Sequence, residues 1–527
     1  MWPAIRGALH RTVGPPTEYD LSLNRQVGDM AEANPRENVQ LIAYADRFGG
    51  SLAELHEILN GPLKGLFSGV HILPFFTPFD GADAGFDPVD HCEVDPRLGS
   101  WDDVRALAGE YDLMADLIVN HVSADSAQFR DVLARGDASP HARMFLTMSD
   151  VYPDGADEAE LTGIYRPRPG LPFTALTLGE RRRLVWTTFT SAQIDLNLAD
   201  PAGRTYLDRV LVALAGGGVS MVRLDAVGYA IKSAGTSSFM TSQTLAFIDE
   251  LTARARELGV GVLVEVHGHY ERQIAIGSAV DRVYDFALPP LLLHALYTGD
   301  AAPLRRWLAV RPLNAVTVLD THDGIGVIDV GPDQTGDGRP GLLSPAQVSA
   351  LVEGIHERSG GQSRQATGWS ASNVDVYQVN CTYYDALGRD DSAYLLARAV
   401  QFFTPGIPQV YYVGLLAGGN DMDLLARSGV GRDINRHSYT SEEITRDLAR
   451  PVVSALVELI RLRNAHPAFA GRCEIGGDGS KLTLTWTSGS QSAALQADLG
   501  SGSATLSWTS PDGQTHTCQD LLEIRHQ

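Results

Sequence analysis

The chain has 527 residues, of which 42 are Lys or Arg and 64 are Asp or Glu, giving a net charge of -22. That balance repels phosphate backbones and anionic lipid, which excludes nucleic acid as a partner, and the length exceeds one compact core, so a large domain with added modules is expected. No apolar run reaches the roughly 18 residues that span a bilayer, which excludes a membrane partner, and the four cysteines, Cys92, Cys381, Cys473 and Cys518, form no CxxC pair, which points to free thiols in a reducing cytoplasm.

Residues 1–33 lack the continuous apolar core and cleavage site of a secretory signal and read as a disordered extension. Beyond them, short apolar runs alternate with helical stretches, the pattern of parallel strands covered by helices. In chain order the strands are expected at Val39–Tyr44, Gly69–Leu73, Leu113–Val119, Ser220–Leu224, Val262–Val266, Arg282–Phe286, Ala315–Leu319 and Gln409–Val413. Eight such units predict an α/β chain, a (β/α)8 TIM barrel whose chemistry sits at the carboxyl ends of its strands. The long gaps after the third and seventh strands predict two inserted lobes, and the Thr/Ser-rich alternation after Asn464 predicts a small C-terminal β-domain. The expected divisions are a barrel in 34–118, 200–324 and 389–468, lobes in 119–199 and 325–388, and the β-domain in 469–527.

The predicted strand ends are polar. The third runs into Asn120 and His121, the fourth into Asp225, the fifth into Glu265 and His267, and the seventh into His322 and Asp323. One carboxylate there could be an ordinary salt-bridge partner, but three suit glycoside chemistry with retention of configuration, which needs a nucleophilic carboxylate and a protonated carboxyl about 5 to 5.5 Å apart. Arg223, two residues before Asp225 on the same strand face, would hold Asp225 ionised as a nucleophile. Glu265 lies between Val264 and Val266 beside that negative charge, the setting of an acid. Asp323 would then stabilise the positively charged transition state. His267 and His269 lack further ligands, so no metal is expected, and retaining chemistry requires no cofactor.

The runs Asp116–His121, Val222–Ala226, Glu265–His267 and Thr321–Asp323, with Gln193–Asn197, resemble the ordered signature regions of the α-amylase clan. By that resemblance Asp225 is the nucleophile, Glu265 the acid/base and Asp323 the stabiliser, with His121, Arg223 and His322 as their supporting residues and His267 among the substrate-binding ones. Leu73–Asp87, Ile164–Phe173, Gly235–Met240 and Gly431–Arg436 are similar to the sucrose phosphorylase family within it. The resemblance implies Asp83 and Arg432 on the glucosyl hydroxyls, Phe86 and Phe189 as apolar walls, and Tyr229 where many amylases carry a charged or imidazole residue. It also implies Arg168, Tyr165, Asp375, Tyr377 and Gln378 near the acceptor. Pro167 and Pro169 flank Arg168 and stiffen its loop. Trp369 is bulkier than the family's residue there, which predicts an altered fructose pocket.

The activity implied is transfer of the glucosyl unit of sucrose to inorganic phosphate, giving glucose 1-phosphate and fructose, in a homodimer. A phosphorylase of sucrose 6′-phosphate, glucosylglycerol or glucosylglycerate, or a hydrolase of the clan, would share the three carboxylates.

Overall fold

The computed structural model describes residues 38–333, 338–369 and 378–525; the expectation for residues 1–33 lies outside them. Eight parallel strands close into a barrel: β1 (Gln40–Ala43), β2 (Gly69–Ile72), β3 (Asp112–Ile118), β4 (Met221–Asp225), β5 (Gly261–Val264), β6 (Arg282–Asp285), β7 (Ala315–Thr317) and β8 (Ile407–Tyr411). Each pairs with its neighbours in sequence, and β8 returns to β1 through Gln40↔Gln409, Leu41↔Val410 and Ile42↔Tyr411. The strands are almost continuously apolar because helices cover the barrel outside and side chains fill it within. Typical covering helices are Pro201–Gly216, capped by Asp200, and Asp391–Phe403, capped by Asp390.

All eight expected strands fall within two residues of the observed ones at either end. The eighth begins two residues earlier and ends at Tyr411, because Tyr412 opens a short helix, Tyr412–Leu415. Pro408 has no N–H for the ladder, and the amide of buried Gln401 spans this part of the sheet, donating to the carbonyls of Thr317 at 2.9 Å and Gln409 at 2.8 Å.

Inside the barrel the alternation of strand side chains builds a polar layer. Asp116 on β3 and Arg223 on β4 are paired in register. His71 on β2, Tyr284 on β6 and Gln409 on β8 join them through hydrogen bonds of 3.0 to 3.4 Å. Residue Asp225, two beyond Arg223, therefore projects from the same face one layer higher, at the carboxyl end.

The segment after β3 forms a three-residue pairing, His121–Ser123 with Gln193–Asp195, and a hairpin, Phe173–Leu178 with Arg181–Trp186. The C-terminal end is a five-stranded antiparallel meander from Arg472 to Cys518. Leu482, Leu484 and Trp486 alternate inward there, and Trp486 Nε1 donates to the Phe403 carbonyl at 2.7 Å, seating the sheet on the barrel.

Candidate active site

A single cavity at the carboxyl end of the barrel is lined by Asp225, Glu265 and Asp323. Arg223, 2% exposed beneath it, donates from Nη1 to Asp116 at 2.5 Å and to Asp225 at 2.8 Å, with Nη2 3.8 Å from Glu265. Ala226 adopts the left-handed backbone conformation (φ 53°), which L-residues reach only at some cost, and its N–H faces Glu265 Oε2 at 3.3 Å.

The expectation that Arg223 holds Asp225 ionised is opposed by burial. Burial pushes the Asp225 carboxyl well above the usual range; Arg223 opposes this, while Glu265, Asp116 and Asp323 add to it. One guanidinium shared with Asp116 does not offset burial and three neighbouring carboxylates. Asp323 differs: burial is outweighed by the guanidinium groups of Arg432, Arg223 and Arg436, so its carboxyl lies far below the usual range and is ionised.

Around Asp323 the remaining sugar-side candidates gather. Arg432 Nη1 lies 2.9 Å from Asp323 and 4.0 Å from Asp83. Burial would raise the Asp83 carboxyl, but Arg432 and Arg436 bring it below its ordinary value. Phe86 stacks on His322 with ring centres 4.7 Å apart, and burial lowers His322 to about 3, so its imidazole is neutral. His121 is also lowered, chiefly by burial. Its Nε2 faces the Phe86 carbonyl at 2.9 Å and the Gln193 amide at 3.1 Å. Phe189 packs edge-on against His121 at 5.2 Å and against Tyr229 at 5.3 Å, and both aromatic residues line the cavity.

His267 stands beside Glu265 with Gln378 next to it, and Tyr165 and Arg168 also line the cavity. The loop bearing Arg168 is fastened at its base: Tyr165 N–H donates to the Ser237 carbonyl at 2.9 Å, its ring packs on Phe239 at 4.6 Å, and Arg166 holds the Phe189 carbonyl at 3.1 Å. His267 stacks on Phe286 at 4.0 Å, with Nε2 3.5 Å from Glu265. Burial disfavours the imidazolium, yet Asp329, Glu265 and Asp323 bring His267 up to about 9. Asp375, Tyr377 and the side chain of Trp369 lie outside the described residues.

Among the described residues, Glu265, His267 and Asp323 are the group that could hold a metal ion, with ligand atoms within 4.8 Å of one another. Two of the three are already engaged, Asp323 by Arg432 and His267 Nδ1 by Asp329 at 2.9 Å.

Several neighbours escaped sequence reasoning. Gln193 bridges Asp83 and His121, both at 3.1 Å, and was visible only as part of the Gln193–Asn197 motif. Phe239 lines the cavity within the quoted Gly235–Met240 run. Asp87 accepts the N–H groups of Ala82 at 3.0 Å and Asp83 at 3.2 Å, which shapes the turn presenting Asp83. Asp329 is wholly buried; its signal is a single acid inside the apolar run Ile325–Val330.

Comparison with known proteins agrees with this geometry. The family model of the α-amylase catalytic domain matches residues 62–252. The chain is 58% identical to a sucrose phosphorylase of Agrobacterium vitis, over 89% of this chain and 97% of that one. It is 52% identical to a sucrose phosphorylase of Bifidobacterium adolescentis, over 92% and 98%. The crystal structure of a sucrose 6F-phosphate phosphorylase from Thermoanaerobacter thermosaccharolyticum superposes with a TM-score of 0.84 at 36% identity, covering 93% of this chain and 99% of that one. With this identity sustained over nearly the whole length of such relatives, the chain belongs to the sucrose phosphorylase family of the α-amylase clan.

Proposed function

We propose that this chain is a sucrose phosphorylase that transfers the glucosyl unit of sucrose to inorganic phosphate with retention, releasing fructose and α-glucose 1-phosphate. The observation that carries this reading is that Asp225, Glu265 and Asp323 line one cavity together with Arg168 and His267, a set that combines retaining chemistry with local positive charge in a chain of net charge -22.

In this mechanism Asp225 acts as the carboxylate and Glu265 as the carboxylic acid. Asp225 attacks the anomeric carbon, the bond to the fructosyl oxygen breaks, and Glu265 gives that oxygen its proton. Asp323, Asp83 and Arg432 grip the glucosyl hydroxyls while Phe86, Phe189 and Tyr229 wall the ring. In the second step a phosphate oxygen attacks the same carbon, the bond to Asp225 breaks, and the phosphate's proton returns to Glu265. Phosphate is already an anionic nucleophile, so the site must attract it and limit competing water. Arg168, with Tyr165, Gln378, Asp375 and Tyr377, forms the acceptor side in this reading. Transfer to other hydroxyl acceptors is the expected side activity.

Four unpaired cysteines suit a reducing cytoplasm, and the family resemblance suggests a homodimer, which light scattering after size exclusion checks. The decisive experiment incubates the protein with sucrose, with and without phosphate, and quantifies glucose 1-phosphate and glucose. Phosphate-dependent α-glucose 1-phosphate supports the reading; glucose alone in both tubes overturns it.

A further inference from the structure

The buried carboxylate of Asp329 does not line the cavity, yet both of its oxygens are engaged. Its Oδ1 accepts from the Gly268 N–H at 3.0 Å and from Gln273 Nε2 at 3.0 Å, and its Oδ2 faces His267 Nδ1 at 2.9 Å. Asp329 and Gln273 are 0% and 1% exposed, so this arrangement is closed to water. The space around it is also specified. A Cβ on Gly326 would lie 2.6 Å from Asp329 Oδ2 and 3.3 Å from His267 Nδ1, so the position next to the pair admits only glycine without displacement.

The consequence appears on the other side of the imidazole. With Nδ1 committed to Asp329 and one ring face on Phe286, Nε2 is aimed into the cavity, 3.5 Å from Glu265 Oε1 and 3.3 Å from the Gln378 amide nitrogen. Any acceptor oxygen that exchanges a proton with Glu265 must come within reach of that nitrogen. Arg432 is engaged with Asp323, whereas His267 Nε2 stands beside Glu265, and Arg168 lines the same cavity.

We propose that Asp329 is a positioning residue for anionic acceptors: it fixes the His267 ring and sustains its charge so that Nε2–H meets a phosphate oxygen beside Glu265. This rests on the phosphorylase reading above. A neutral acceptor or water takes little benefit from the charge, so the pair biases the covalent intermediate toward phosphate. The charged groups facing the ring are Asp329, Glu265 and Asp323, and of these Asp329 contributes most to keeping His267 protonated.

The test compares wild type with Asp329→Asn, which keeps the shape and removes the charge, and Gly326→Ala, which crowds the pair from outside. KM for phosphate, kcat at saturating phosphate, and the ratio of glucose 1-phosphate to glucose are measured with sucrose as donor, beside a thermal melt. Loss of one charge-assisted contact predicts a rise of about tenfold in KM for phosphate, with kcat changed less than about threefold, and a product ratio shifted toward glucose in both variants. A folded Asp329→Asn enzyme with unchanged phosphate KM and product ratio overturns the proposal, as does an equal fall in every rate. If Asp329→Asn does not fold, the same readings on Gly326→Ala decide. A wild-type enzyme that makes no glucose 1-phosphate refutes the phosphorylase reading instead, so the two failures are distinct.

Discussion

Arg223 divides one guanidinium nitrogen between Asp116, at 2.5 Å, and Asp225, at 2.8 Å. Asp116 therefore competes with Asp225, the proposed nucleophile, for its counter-ion and adds negative charge beneath it. Burial is the first reason that Asp225 titrates high, and Asp116 is among the carboxylates that reinforce it. Asp116→Asn removes that charge, so the pKa of Asp225 falls and the acid limb of the pH dependence of kcat/KM moves to lower pH, by up to about one unit. A profile that shifts upward, or an unaltered acid limb in a well-folded variant, contradicts this.

Glu265 is assigned to protonate the fructosyl oxygen. Glu265→Gln should lower turnover of sucrose by about 10²- to 10⁴-fold, whereas a donor such as α-glucosyl fluoride, whose leaving group needs no proton, should form the glucosyl-enzyme at a rate much closer to wild type. Stopped-flow release of fluoride against fructose reads the difference. An equal loss with both donors would remove Glu265 from the acid's role.

The barrel and its carboxylates were legible because both signals are local. A buried parallel strand is a short apolar run, and a polar residue directly after it points to the carboxyl end, which is how Asp225, Glu265 and Asp323 could be picked out together. The charge state of Asp225 was not legible, since it depends on Asp116, more than one hundred residues away, reaching the same guanidinium through strand register. Asp329 was hidden for a similar reason: its partner His267 is 62 residues distant, and nothing in Ile325–Val330 except the acid itself announces a contact. The eighth strand slid because a proline that would ordinarily end a strand is accommodated next to the Gln401 side chain.

His91 is wholly buried among Phe76 and Tyr206, and neither ring nitrogen has a hydrogen-bond partner. Burial lowers it from 6.5 to about 3. The unfolded chain thus takes up this proton as pH falls below 6.5 while the folded chain does not, so stability is lost progressively between pH 6.5 and about 3. The share due to His91 is on the order of 2 kcal/mol by about pH 5. His91→Leu removes it: chemical denaturation at about pH 7 and pH 5 should show a smaller decline for the variant than for wild type. Parallel declines would mean that His91 gains its proton without unfolding.

Lys232 ties the segment after Asp225 to Asp195 and Asn120 through a buried ion pair and a hydrogen bond. Its Nζ lies 2.6 Å from Asp195 Oδ2 and 2.5 Å from Asn120 Oδ1, with side-chain exposures of 2% for Lys232 and 0% for Asp195. Asp195 also accepts from the Thr188 N–H at 2.9 Å and from its hydroxyl at 2.5 Å, which fixes the residue preceding Phe189. Lys232→Met leaves the Asp195 charge inside the protein without its cation and should cost about 3–5 kcal/mol. Adding Asp195→Asn removes the stranded charge, so the double variant should be more stable than Lys232→Met alone, a coupling that a double-mutant cycle on denaturant midpoints measures directly. Because Asp195 holds Thr188, the residue before Phe189, and follows Gln193 by two residues, KM for sucrose should rise in Lys232→Met and recover in part with the second substitution. Additive losses in stability, with no recovery in KM, would show that the ion pair does not connect the lobe to the sugar site.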